Sequence, residues 1–216
     1  RLFVLLRRTS VSDRCVLFVP PFAEEMNRCR PHIATASREL VSAGYNVVLP
    51  DLYGTGDSEG GFEDATWEGW TDDLDAVLSW AESEGLALHG VVAVRLGCLL
   101  TMDLFRRRPS AVGRMVFWQP VATGEGYLRQ FLRLRVAAAM ARDERETVEG
   151  LFERLERGEV LDVAGYPLSP SLAAAIRKID IEHYSSPALE ALCMLQLSRL
   201  VPAGPEAPAA LIADAA

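Results

Sequence analysis

Val91-Val92-Ala93-Val94-Arg95-Leu96-Gly97-Cys98-Leu99-Leu100 decides the fold of this chain. Val91 to Val94 is an unbroken apolar run, the pattern of a strand buried on both faces. Arg95-Leu96-Gly97 leaves room only for a sharp turn. The stretch from Gly97 to Arg108 then reads as a helix, and Pro109 stops it. A buried strand that turns at once into a helix is the repeating unit of a parallel sheet with helical crossovers. The residue on that turn is an arginine.

The same alternation continues in both directions. Upstream, Trp67 to Glu84 places Trp70, Leu74, Val77, Leu78 and Ala81 at helical spacing, with its acids on the other face. Asn46 to Pro50 is a strand that delivers the glycine-rich turn Asp51-Leu52-Tyr53-Gly54-Thr55-Gly56-Asp57-Ser58. Cys15 to Val19 is a buried strand closed by Pro20-Pro21. After it, Asn27 is read as the cap of a helix reaching Ser42, with Pro31 in its first turn and Gly44 as its stop. Leu2 to Leu6 reads as a strand near the sheet edge. Downstream, Arg114 to Trp118 and Ala191 to Leu197 read as strands.

Between those last two strands the rhythm changes. Tyr127 to about Arg157 reads as one long charged helix with Leu128, Leu132, Val136 and Met140 in an apolar stripe. Gly165 to Pro170 reads as a turn, followed by a short helix from Leu172 to Lys178. Residues 120–185 are therefore expected to form a helical cap inserted in a single domain spanning 1–216. The expected fold class is α/β, a doubly wound and mostly parallel sheet. Ligands in such sheets bind beyond the C-terminal ends of the strands. The loops at 20–27, 51–58 and 95–97 should converge there.

Bulk composition narrows the function classes. Half of the 216 residues are hydrophobic, which is enough for a sizeable core. A formal net charge of −8 argues against a nucleic-acid partner. Cys15, Cys29, Cys98 and Cys193 are widely spaced and suggest neither a zinc site nor a disulfide framework, so a reducing cytoplasm is expected and no metal or cofactor. No apolar run approaches the roughly 18 residues of a membrane span. The first residue is Arg1 rather than Met, at what reads as the inside of a fold, as a fragment would be. Nothing in the sequence sets an oligomeric state.

Three features resemble the α/β-hydrolase superfamily: the strand ending in Val19-Pro20-Pro21-Phe22, the D-x-x-G-x-G-x-S turn at Asp51–Ser58, and the turn at Arg95. In that superfamily the last of these is the nucleophile elbow, G-x-S-x-G. A closer similarity is to the exosortase-A-associated hydrolases of the second type, from bacteria that make exopolysaccharide. Pro20-Pro21-Phe22-Ala23-Glu24-Glu25-Met26-Asn27, Trp118-Gln119-Pro120-Val121 and the run from Tyr127 to Arg135 carry it. The resemblance implies the α/β-hydrolase fold and an ester- or acyl-type hydrolase or acyltransferase. Two positions depart from it. Arg95 stands where the serine would be, with Ala93 in place of the first glycine. No strand followed by a histidine is legible after Leu197, so the last strand of the fold is expected to be missing; His32, His89 and His183 all lie upstream.

The candidate residues carry alternative readings. An arginine serves as neither nucleophile nor general base. Arg95 could pair with Glu24 or Glu25, or bind a carboxylate or phosphate through its fork of N–H donors. Phe22 and Leu96 offer backbone N–H groups matching the superfamily's oxyanion hole, or an ordinary helix-initiating loop. Glu24 and Glu25 could act as an acid/base pair, although neighbours diverge, so one is expected to meet Arg95 or cap the helix. Cys98 is expected to be buried and inert. Asp51 and Ser58 are read as turn-formers and Glu125 as a weak candidate acid. Arg129, Arg133, Arg135 and Arg142 make a basic helix face, for which packing over the pocket is preferred to membrane contact. Two functions remain open: an exopolysaccharide-associated hydrolase, or an inactive relative binding a small acyl or anionic ligand or a partner protein.

Overall fold

The computed structural model describes residues 1–108, 114–181 and 191–195. Six strands form the main sheet: β1 (Phe3–Arg7), β2 (Arg14–Val19), β3 (Asn46–Asp51), β4 (Ala87–Val94), β5 (Arg114–Trp118) and, last in the chain, β8 (Ala191–Leu195). Their spatial order is β1-β3-β2-β4-β5-β8. Only β1 runs antiparallel, pairing Phe3 with Asp51 and Arg7 with Val47 at the sheet edge. β2 and β3 are almost wholly buried, and so is the C-terminal half of β4, as a sheet covered on both faces demands. The order reverses direction between β2 and β4, so the loops leaving these two strands flank the crevice in which such sheets hold ligands.

Three helices make the crossovers: α1 (Glu24–Ser42), α2 (Trp67–Ser83) and α3 (Gly97–Arg107). α2 and α3 pack together into the larger core, around Leu74, Leu99, Leu104 and Phe105. α1 lies over the opposite face, on Val16, Phe18, Val47 and Val94. Its cap is Ala23, four residues before the expected Asn27. The stiff Pro20-Pro21 pair ends the loop early, and Glu24 and Glu25 suit the positive end of the helix. Pro31 consequently lies inside the helix rather than in its first turn.

Between β5 and β8 the chain forms α4 (Gly124–Met140), α5 (Val148–Glu156), a hairpin of β6 (Leu161–Val163) and β7 (Tyr166–Leu168), and α6 (Pro170–Arg177). The single helix expected from Tyr127 to Arg157 is in fact two. α4 ends at Met140, Asp143 takes a left-handed conformation at φ 58°, and Thr147 caps α5 by accepting from the Gly150 N–H. The apolar stripe ends with the helix: Leu128 and Leu132 are buried, while Met140 is exposed. The turn placed at Gly165–Pro170 is also corrected. Ala164 and Gly165, both at positive φ, form the tight turn, and Tyr166 to Leu168 is strand. The last strand was read to Leu197; positions 196 and 197 lie outside the described residues, as does His183. No described helix is long and apolar enough to cross a membrane.

Candidate functional site

The elbow has the backbone of a strand–turn–helix corner and the side chain of an ion-pair residue. Arg95 sits at φ 53°, a left-handed conformation that costs a non-glycine residue about 1–2 kcal/mol. The turn is closed by the Arg95 N–H donating to the Trp118 carbonyl at 3.0 Å and by Cys98 donating back to Arg95 at 3.1 Å. Gly97 makes the corner possible. A Cβ there would lie 2.5 Å from the Pro20 carbonyl oxygen and 2.9 Å from that of Val19, so the loops after β2 and β4 touch through their backbones.

The Arg95 guanidinium is held on three sides. Its Nε donates to Glu25 Oε1 at 2.9 Å, one Nη to Gln130 Oε1 at 3.1 Å, and the other to the Gln119 carbonyl at 3.4 Å. The second Glu25 oxygen accepts from the Tyr127 hydroxyl at 2.9 Å, and the guanidinium lies 5.6 Å from the Tyr127 ring centre. Burial and the Glu25 carboxylate push the Tyr127 hydroxyl well above the usual phenol range, so it stays a donor. Of the alternatives for Arg95, the ion pair with Glu25 is thus formed. Three of its five N–H groups are used. Arg95 also lines a groove of about 460 Å³, together with Gln119, Thr123, Tyr127, Gln130 and Met194.

Glu24 diverges from Glu25, as adjacent helical residues must. Burial, the leading cause, raises its carboxyl above the usual range, and its Oε2 is enclosed with no hydrogen-bond partner among the described residues. The two acids therefore do not act as a pair on one point. Phe22 and Leu96 line a common pocket with Met26, Trp70 and Leu100. Neither of their N–H groups reaches a backbone acceptor among the described residues, so both remain available as donors. The pocket itself is nearly full, with about 20 Å³ of space, little more than one water. The Phe22 ring forms part of its wall and packs edge-on to Phe62, Trp70, Tyr127 and Phe131 at 5.1–5.8 Å between ring centres. Space for a ligand beside the elbow lies on the Gln130 side of Arg95.

The remaining candidates have structural partners. Asp51 accepts from the Asp57 N–H at 3.0 Å, and its carbonyl takes the Ser58 hydroxyl at 2.5 Å, with Gly54 and Gly56 at positive φ between them. His89 packs on Tyr45, far down β4 from the crevice, and His32 sits on exposed α1 edge-on to Trp118. Glu125 is engaged by Arg129 and Arg177. Arg129, Arg135 and Arg142 are tied to Glu149, Glu146 and Glu144, which neutralises most of the basic face.

Cys98 is buried, its thiol directed at the Ala93 carbonyl, and burial pushes it up to about 12. Cys15 is likewise raised, to about 11. Iodoacetamide at pH 8 is therefore expected to alkylate exposed Cys193 in the folded protein and to leave Cys15 and Cys98 unmodified until denaturant is added. Peptide mass mapping reads the outcome, and rapid native labelling of Cys98 would show it exposed to the crevice.

Reading the sequence missed three partners of Arg95: Gln119, Tyr127 and Gln130. Tyr127 and Gln130 are three apart on one helix and therefore share a face, a signal present in the sequence. Gln119 takes a left-handed conformation at φ 52°, which no pattern announces.

A family model for the X-Pro dipeptidyl-peptidase (S15 family) matches residues 15–98, from β2 to the elbow and less than half of the chain. Among solved structures, Est1E from Butyrivibrio proteoclasticus, determined with ferulic acid bound, aligns with a TM-score of 0.62 at 20% identity. That alignment covers 84% of this chain and 68% of Est1E. Alpha/beta hydrolase domain-containing protein 10 from mouse aligns with a TM-score of 0.58 at 18% identity, covering 89% and 71%. No curated protein matches the sequence. At these identities the similarity is one of fold, and the mostly parallel sheet with its flanking helices is an α/β-hydrolase fold.

Proposed function

We propose that this α/β-hydrolase fold serves to bind a small anionic acyl compound without covalent catalysis, in the groove beside Arg95. The observation that carries the reading is the residue on the elbow. A serine there would attack a carbonyl; a guanidinium held by Glu25 cannot, but it has N–H donors to spare and lines a groove with room for a ligand. The contact to the Gln119 carbonyl, at 3.4 Å, is the weakest of the three and the first a carboxylate would replace. Residues 120–185, whose α4 supplies Tyr127 and Gln130, act in this reading as a cap that forms one wall of the groove. The setting is the bacterial exopolysaccharide and exosortase systems of the hydrolases the sequence resembles, in the cytoplasm.

Hydrolysis of an ester or acyl bond is the second reading, supported by the Phe22 and Leu96 N–H groups, which meet no backbone acceptor among the described residues and belong to residues lining one pocket. A fluorophosphonate probe separates the two. No serine is expected to be labelled, whereas ferulate, the aromatic propenoate found bound to Est1E, is expected to raise the melting temperature. Arg95→Ala should remove that stabilisation. A stoichiometric serine adduct, or ferulate binding unchanged in Arg95→Ala, would overturn the binding reading.

A further inference from the structure

A second cavity lies on the other side of α1, away from the elbow. β1 places Phe3, Leu5 and Arg7 on one face, two residues apart, opposite Asp51, Leu49 and Val47 of β3. α1 lies over this face but does not fill it. A cavity of about 170 Å³ remains, walled by Phe3, Leu5, Phe18, Ile33 and Leu49, with Arg7 among its lining residues. That space has room for a chain of roughly the size of a six-carbon carboxylate, where one water needs about 10–15 Å³.

Arg7 gives the cavity its chemistry. Its Nε is enclosed, with no hydrogen-bond partner among the described residues. Its neighbour Arg8 is paired with Glu84, and Arg30, across the cavity, is paired with Asp51. No carboxylate pairs with Arg7 among the described residues. Arg7 as a whole is half-buried, its enclosed N–H lacks an acceptor, and an unmet buried donor is costly. Phe3 and Leu5 are about two-fifths exposed, so the cavity can be entered from the β1 side. We propose that this cavity binds a short-chain aliphatic carboxylate, its headgroup on Arg7 and its tail among Phe3, Leu5, Phe18, Ile33 and Leu49.

The site is independent of the groove at Arg95, and calorimetry on the whole chain can separate them. Hexanoate is expected to bind saturably and at least tenfold more tightly than neutral hexanamide. Arg7→Gln should reduce hexanoate to the level of the amide, and Ala34→Phe, which fills the cavity, should abolish both. Arg95→Ala should leave hexanoate binding in place. The proposal is overturned if wild-type protein gives no saturable hexanoate binding, if acid and amide bind equally, or if hexanoate binding survives Arg7→Gln undiminished. The comparison of acid with amide needs no variant, so it stands even where a substitution prevents folding.

Discussion

Alanine at position 97 is expected to destabilise the protein by about 3 kcal/mol, the upper end for one added methyl in a packed interior. The added carbon would meet two backbone carbonyl oxygens, those of Pro20 and Val19, rather than the movable end of a side chain. Neither can yield without shifting β2 or the start of α3. For a chain of this size the loss corresponds to a fall in melting temperature of about 10 °C. Gly158→Ala is the control. Its Cβ would meet nothing within 4 Å, so only the left-handed backbone at φ 91° is penalised, by about 1 kcal/mol. Denaturant melts of both variants provide the measurement. Equal losses would mean that the elbow and the loop after β2 are not in backbone contact.

That contact is also the reason the fold was legible. Gly97 is the part of the elbow pattern that sterics demand, whatever chemistry the turn carries, and it is present although the serine and the first glycine are not. The sheet strands were readable because burial on both faces leaves unbroken apolar runs, as in Cys15–Val19 and Val91–Val94. The region after Pro120 was less legible. Helical periodicity continues across the break at 141–147, because charged residues such as Arg142 and Glu144 suit an exposed helix and an exposed loop equally. The three-residue strands of the hairpin are too short to show a period. In the site, the pairing of Glu25 with Arg95 was foreseeable from two loops expected to converge. The choice of Glu25 over Glu24 was not, since it depends on the helix starting at Glu24 rather than after Asn27. The packing of the Phe22 ring into an aromatic cluster was equally hidden. It needs Phe62, Trp70 and Phe131, from three separate elements, to arrive at one point.

Removing the Glu25 carboxylate separates what Arg95 does for stability from what it does for binding. Glu25→Ala is expected to cost about 2–3 kcal/mol. Breaking one side of a fully buried pair costs more, about 3–5 kcal/mol, but here the two side chains keep 24% and 20% of their exposure, and water screens part of the loss. The variant strands the guanidinium and leaves the Tyr127 hydroxyl without its acceptor. Arg95→Met combined with Glu25→Leu should recover most of this stability, because apolar groups of similar volume satisfy the same space without desolvating a charge. A double-mutant cycle by urea denaturation measures the coupling, expected at about 1–2 kcal/mol. The milder Glu25→Gln keeps the shape of the side chain and removes its charge. If the groove beside Arg95 takes an anion, this change should tighten ferulate binding severalfold, because a carboxylate 2.9 Å from the guanidinium no longer competes with the ligand. A Glu25→Gln variant that is destabilised yet binds ferulate no better would assign Arg95 to holding the loop after β2 against α4, and would leave the groove without its anchor.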